Sequence, residues 1–578
     1  MRVSFRTILA GSALVTLAVA VPVTTFAAMP GAFGVQSAGR TQDLIAAAIT
    51  TYSVDPVSAA LRRTIEGHIA AMTPPVAAPA DPAATAAPAP KPLSASDADW
   101  MGIAAFYSAR GYAPVWFAGG VPTARTRAVA NRLAKAGEDG LDPAAYSVLD
   151  RSLQPISPED AERLARAELR AAAAILRYAR EAQTGRVKPS SVSPLDAEKP
   201  VPPDPASVLA AVAGARDPAV ALDSYNPPYL GFRQLRAKLA NLRAGLPVSS
   251  MPLGTSAAGK VPSVGRVPAL AVRDPAIEPR GPALASRGTG IVSDADPQIT
   301  GSLPEPRPQA AATESGKGAT AARDTGAYRQ TEAAILANME RWRWLPRDLG
   351  RFHVWVDIPG YDLAVVRDGE RTFHTRVVVG RDTNQTPTFS SAINNIVVNP
   401  YWNVPVSIVT KEMLKQIKAN PGYLTKKNYE VLYKGQPVDP TRIVWNENAA
   451  RALSIRQKPG AGNALGTVKF LFPNPFSVYL HDTPSKALFA NDSRADSHGC
   501  VRVQNPMAFA SALLAEDPNL SGDKVKDLVG GKERWLKIAT PVPVHLTYFT
   551  AMVTASGDLD LREDIYGRDA RLKAKLGL

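Results

Sequence analysis

Apolar residues recur at helical spacing through the first half of the chain and alternate with polar ones through much of the second. Trp100, Ile103, Ala104 and Tyr107 share one helix face. Leu164, Leu169, Ile175 and Tyr178 mark a longer helix. Its start is predicted at Ser157-Pro158-Glu159-Asp160, which offers a polar cap, a proline at the first helical position and acids in the first turn. Its end is predicted near Thr184-Gly185, where glycine can leave the helix. Asp139-Gly140-Leu141-Asp142-Pro143 reads as a turn into a helix, and 231–242 as one more amphipathic helix. Residues 97–248 are therefore expected to form a helical scaffold domain.

The period then changes. A helix is predicted over 328–344, stopped by Pro346. Phe352, Val354, Val356 and Ile358 alternate with His353, Trp355 and Asp357, the two-residue repeat of a strand. Runs at 363–366 and 372–379 flank Asp368-Gly369, a hairpin signal. Further strands are expected at 396–398, 467–472, 477–480 and 542–548. Between them, 406–456 mixes helix and turn signals with a segment around Trp445, and is expected to fold over the sheet as a lid-like insertion. Residues 327–555 thus read as a mainly β domain and 556–578 as a C-terminal tail. The fold class is α+β, with several domains.

Composition separates these domains. Residues 249–326 are rich in Ala, Pro, Gly and Ser, carry isolated Arg266, Arg273, Arg280 and Arg287, and lack apolar periodicity. A disordered linker is expected there. Within 29–96, a weakly helical stretch at 42–71 precedes an Ala/Pro run to about residue 93, which suits an extended spacer. Residues 1–28 have the zones of an export signal: Arg2 and Arg6, an apolar run over 8–23, then Thr25-Phe26-Ala27-Ala28. The apolar run is short and diluted by small polar residues, so cleavage is expected, with an uncleaved membrane anchor as the alternative. The balance is basic, 66 Lys+Arg against 52 Asp+Glu, net +14. With an export signal and no nucleic-acid module, nucleic acid is excluded as a partner. An anionic membrane surface or acidic wall polymer fits the charge, as does plain solubility.

The six histidines are scattered and no metal-ligand spacing occurs, so neither a metal nor a cofactor is expected. The chain has one cysteine, Cys500. In an exported protein a lone thiol has no disulfide partner; it is either an inert core residue or a reactive group. Its surroundings favour reactivity. His481 follows Val478-Tyr479-Leu480, and Cys500 lies in Ser497-His498-Gly499-Cys500-Val501-Arg502. An imidazole can take the thiol proton so that the thiolate attacks a carbonyl. Gly499 allows a tight turn that aims N–H groups at a developing oxyanion. Arg502 can grip a carboxylate through two parallel hydrogen bonds.

The pattern His481, fifteen residues, then Ser-His-Gly-Cys-Val-Arg resembles the signature of the L,D-transpeptidase catalytic domain, the YkuD type. Other stretches are similar to its large Gram-negative, YcbB-like branch. They are Asn338-Met339-Glu340-Arg341-Trp342-Arg343-Trp344-Leu345-Pro346, Thr386-Pro387, Asn399-Pro400-Tyr401-Trp402-Asn403-Val404-Pro405, the run Gln457 to Gly466, and Phe472-Pro473-Asn474. Phe106-Tyr107, Pro114-Val115-Trp116 and the Asp139 turn resemble that branch's scaffold domain. The chain departs from the branch in one respect. A small peptidoglycan-binding module usually joins scaffold to catalytic domain, and 249–326 shows no such motif.

The resemblance implies Cys500 as nucleophile and His481 as general base, with Ser497, His498 and Gly499 forming the active-site turn. The Cys500 N–H would serve the oxyanion hole, and His498 would act as a second base or as a structural hydrogen-bonder. Arg502, Tyr479, Trp402 and Asn403 would line the substrate side, though aromatics between strands also serve as core. The implied reaction is acyl transfer from a peptidoglycan tetrapeptide stem through a cysteine thioester to the side-chain amine of a diaminopimelate acceptor, giving 3→3 cross-links in the periplasm. Water, a D-amino acid or a protein lysine could take the acyl group instead, and a non-catalytic envelope scaffold is the alternative outside enzymes. Other cell-wall enzymes as partners and acylation by carbapenems are implied as well. A penicillin-binding mechanism finds only Ser521 and Lys524, without the second lysine motif it needs.

Overall fold

The computed structural model describes residues 55–72, 95–152, 154–246, 326–420 and 422–578. The expected export signal, nearly all of the Ala/Pro spacer and all but the last residue of the expected linker lie outside them; that last residue, Gly326, opens a helix. The scaffold is built on α1 (Pro56–Met72), α2 (Ala95–Ser108) and α3 (Ala161–Thr184). Leu164, Leu169, Ile175 and Tyr178 of α3 are all buried, the core face its periodicity predicts. The helix starts later than its sequence signals suggest. Asp160, not Ser157, is the cap, its carboxylate accepting the Arg163 N–H at 3.0 Å. Gly185, at φ +82°, ends the helix.

Two further helices, α4 (Leu230–Arg243) and α5 (Gly326–Trp342), join scaffold to catalytic domain. Glu340 of α5 accepts the N–H groups of Arg186 and Val187, just past α3, at 2.5 and 2.7 Å. A Cβ on Gly185 would lie 2.5 Å from that carboxylate, so the junction needs glycine there.

The mainly β domain is a closed β-barrel. Its strands are β1 (Phe352–Asp357), β2 (Asp362–Arg367), β3 (Glu370–Gly380) and β4 (Phe389–Val398). An insertion contributes β5 (Trp402–Asn403), β6 (Tyr429–Tyr433), β7 (Gln436–Val438) and β8 (Ser454–Gln457). Then follow β9 (Val468–Leu471), β10 (Leu480–His481), β11 (Ala495–Ser497), β12 (Val501–Val503) and β13 (Arg534–Thr547). Neighbours run β3-β12-β10-β9-β4-β13-β1-β2, and β2 pairs back onto β3 to close the ring. Strand β11 adds to β3 in parallel beyond the end of β2. Val354, Val356, Val377, Val379, Phe470, Leu480, Val501 and Val503 fill one face together with Phe509 of helix α6 (Pro506–Leu513).

Three expectations change. The strand over 477–480 shrinks to β10, because Asn474 holds the preceding residues as a loop. Its side chain accepts the Phe476 and Val478 N–H groups and donates to the Phe472 and Val478 carbonyls. The insertion is more than helix and turn: β5, β8, β6 and β7 form a separate four-stranded sheet with its own core of Val409, Met413, Leu424, Val431 and Ile455. Residues 556–578 are not a tail. A hairpin pairs Ala551–Val553 with Leu559–Leu561, and helix α7 (Arg568–Leu576) buries Arg568 and Leu572 completely.

Candidate active site

Strands β10 and β12 run parallel, with His481 opposite Arg502 and Leu480 opposite Val501. Side chains two residues apart share a face. Tyr479 and His481 therefore face the same way as Cys500 and Arg502, while Leu480 and Val501 point into the core. On the other side of β10, Lys469 of β9 is paired with His481. One polar row, Lys469–His481–Arg502, crosses three adjacent strands, and Cys500 stands at its edge.

Cys500 is half-buried. Its Sγ lies 3.8 Å from the Ser477 carbonyl, and Tyr479 meets it through both its backbone N–H and its hydroxyl. Burial pushes the thiol up to about 11, while Tyr479, Arg502 and Lys469 pull the other way. Burial, followed by the charge on Arg502, pushes His481 down to about 4. Its Nδ1–H donates to the Asp482 carbonyl at 2.5 Å, which leaves Nε2 as the unprotonated nitrogen.

Asp482 is fixed in turn. Its carboxylate accepts the Thr467 N–H and hydroxyl, both at 2.9 Å, and the Thr483 N–H at 2.7 Å, and pairs with Lys486 at 2.6 Å. A Cβ on Gly466, at φ +61°, would lie 2.3 Å from that carboxylate. The residue that orients the imidazole is thus Asp482, acting through its backbone. No side-chain signal announces a carbonyl, so sequence reasoning left this member unidentified.

The turn at 497–500 is stapled from within and behind. Ser497 is buried; its hydroxyl donates to the Cys500 carbonyl at 2.5 Å and accepts the Gly499 N–H at 3.1 Å. Gly499 has φ +112°, a conformation that favours glycine. Its carbonyl accepts the Thr386 hydroxyl at 2.9 Å, and Thr386 Oγ1 in turn accepts the Gly380 N–H at 2.8 Å. Behind Thr386, the Tyr566 hydroxyl reaches the Gly380 carbonyl and Arg568 reaches the Thr386 carbonyl.

The remaining predicted residues divide. His498 faces the insertion: its Nε2 lies 2.6 Å from Glu412 Oε1 and 3.3 Å from Arg381. Glu412 sits in a π-helical turn, Val409–Met413, within the insertion's helical run. Arg502 is half-buried, and Asp496 acts on it without forming an ion pair. Trp402 and Asn403 are placed elsewhere. On β5 they pair with Gln457 and Arg456 of β8; Trp402 packs into the insertion's core beside Tyr429, and Asn403 is exposed. Their neighbours are those of the lid rather than of the thiol. Lys469 is a site residue that the sequence reading missed. Inside a four-residue strand it looks like any polar residue on an outer face.

Residues 351–542 match the family model described as the L,D-transpeptidase catalytic domain, YkuD, and residues 102–239 match one described as a scaffold domain. A Haemophilus influenzae protein named "Putative L,D-transpeptidase" is 38% identical over 242 residues, which cover 41% of this chain and 48% of that protein. The chain thus spans about half the length of this curated relative. Among solved structures, an L,D-transpeptidase from Mycobacterium smegmatis is 12% identical, with 34% of this chain and 58% of that one covered and a TM-score of 0.16. An Ldtfm–avibactam carbamoyl enzyme is 14% identical, with 38% and 61% covered and a TM-score of 0.17.

Proposed function

The chain carries an L,D-transpeptidase catalytic domain of the YkuD family joined to a scaffold domain, and from that premise we propose that it cross-links peptidoglycan stems through a thioester on Cys500. The observation that carries the reading is the strand register that brings His481, held by the Asp482 carbonyl, onto the face of Cys500. In the proposed reaction, His481 Nε2 takes the thiol proton as sulfur attacks the carbonyl of the third residue of a tetrapeptide stem. The Cys500 N–H receives the developing oxyanion. The tetrahedral adduct collapses, the C–N bond breaks, and D-alanine leaves with the proton returned by His481. The side-chain amine of a diaminopimelate on a second stem then attacks the thioester, regenerating the thiol and forming a 3→3 link.

This site would work in the periplasm, delivered by the expected export signal. A β-lactam carbonyl resembles the scissile amide, so carbapenems are proposed to acylate Cys500. The test is mass spectrometry of protein incubated with disaccharide-tetrapeptide, beside Cys500→Ala. The expected product is a dimer lighter than two monomers by one D-alanine, absent with the variant. Tripeptide with free D-alanine would replace the amine acceptor by water; cross-linking by Cys500→Ala would overturn the assignment.

A further inference from the structure

The buried arginines among the described residues have acids against them, whereas two half-buried cations that flank the thiol do not. Arg132 pairs with Asp139, Arg341 with Asp569 and Arg568 with Asp196. Lys469 and Arg502 are half-buried, yet neither has an ion-pair or hydrogen-bonding acid among the described residues. Glu533 acts on Lys469 and Asp496 on Arg502 only from beyond contact. Removing a cation from water without a counter-charge is unfavourable, and such groups gather at functional sites.

Register places both on the face of Cys500, one strand to either side of His481. Two strand spacings put their backbones about 10 Å apart, a gap that two long side chains can close over one anion. Lys469 is also aimed. Its Nζ lies 5.9 Å from the Tyr479 ring centroid and 5.6 Å from that of Trp535, an exposed indole beside the site.

We propose that Lys469 and Arg502 form a carboxylate subsite over Cys500, completed by an acidic group of the substrate. Under the reading given above, on which the identity of that substrate rests, the group is a free carboxylate of the donor stem. Lys469 is then a specificity-determining residue: it selects stems that keep this carboxylate ionised and discriminates against amidated ones. Burial lowers the proton affinity of both cations, and a bound carboxylate would restore it.

The test uses the single thiol as its own reporter. Iodoacetate and iodoacetamide both alkylate a thiolate, forming the S–C bond and expelling iodide, but only iodoacetate carries a carboxylate. The ratio of their rates cancels the nucleophilicity of sulfur and reads anion binding. In the folded protein that ratio is expected to exceed the ratio in urea-unfolded chain by about tenfold, the scale of one hydrogen bond to a charged group. It should fall most of the way to the unfolded value in Lys469→Met and persist in Lys469→Arg. Equal ratios in folded and unfolded wild-type protein would overturn the subsite without reliance on any variant. So would a well-folded Lys469→Met with an unchanged ratio. Alkylation needs no turnover, so the two readings fail separately. An anion preference in a protein that forms no cross-link would leave the subsite and remove the cross-linking. Cross-linking without anion preference would do the reverse.

Discussion

Cys500 and His481 are held as a neutral pair. With the thiol pushed up to about 11 and the imidazole down to about 4, the sulfur keeps its proton at neutral pH and the ring lacks one. The imidazole is then free to accept a proton, and in the proposed reaction proton transfer accompanies attack instead of preceding it. Alkylation of Cys500 by iodoacetamide should accordingly rise about tenfold per pH unit from about pH 6 to about pH 10, following the thiolate fraction. A plateau beginning below about pH 8 would show a preformed thiolate–imidazolium pair and count against this arrangement. At this scale the sequence is legible where chemistry belongs to a side chain. The motif around Cys500 and the histidine before it name their own residue types. The Asp482 carbonyl does not, since every residue carries one. Only the anchoring of its carboxylate by Thr467 and Lys486 makes this carbonyl the one that counts.

Elements were legible in kind and much less so in partnership. Alternation predicts β1 to β3, and helical spacing predicts α3 to α5. Nothing local says that β2 and β3 close a ring or that β10 and β12 run parallel. The C-terminal segment shows why. Arg568-Asp569-Ala570-Arg571 reads as a solvated, charged stretch, yet Arg568 is fully buried between Asp196, Gln385 and the Thr386 carbonyl, all far from it in sequence. That helix supports the loop whose Thr386 hydroxyl holds Gly499. Arg568→Ala removes the partner of a buried carboxylate and should cost about 3–5 kcal/mol of stability, read by urea unfolding. A loss under about 1 kcal/mol would mean that Asp196 is satisfied without it, and that the segment is the tail its composition suggests.

At the scale of the whole molecule, scaffold and barrel share hydrogen bonds as well as apolar contact. The Ala197 N–H donates to the Thr388 carbonyl and the Thr388 N–H to that of Leu195, so a scaffold segment extends the start of β4. Two residues on, Ser390 Oγ lies 2.7 Å from Glu198 Oε1 and 2.8 Å from His545 Nδ1. His545 Nε2 faces the Leu349 carbonyl at 3.0 Å and must carry the ring proton. The Ser390 hydroxyl donates to the Glu198 carboxyl group. Burial outweighs that hydrogen bond and pushes Glu198 up to about 7. A carboxyl raised on folding contributes stability that is full below its unfolded value and is lost as pH rises through about 7. Glu198→Gln keeps an oxygen acceptor for Ser390 and has no charge to bury. Relative to wild type it should be near neutral at about pH 4.5 and more stable by about 2–3 kcal/mol at about pH 8, measured by urea unfolding at both. An equal change at the two pH values, or a loss at the higher one, would mean that burial at the junction does not raise Glu198.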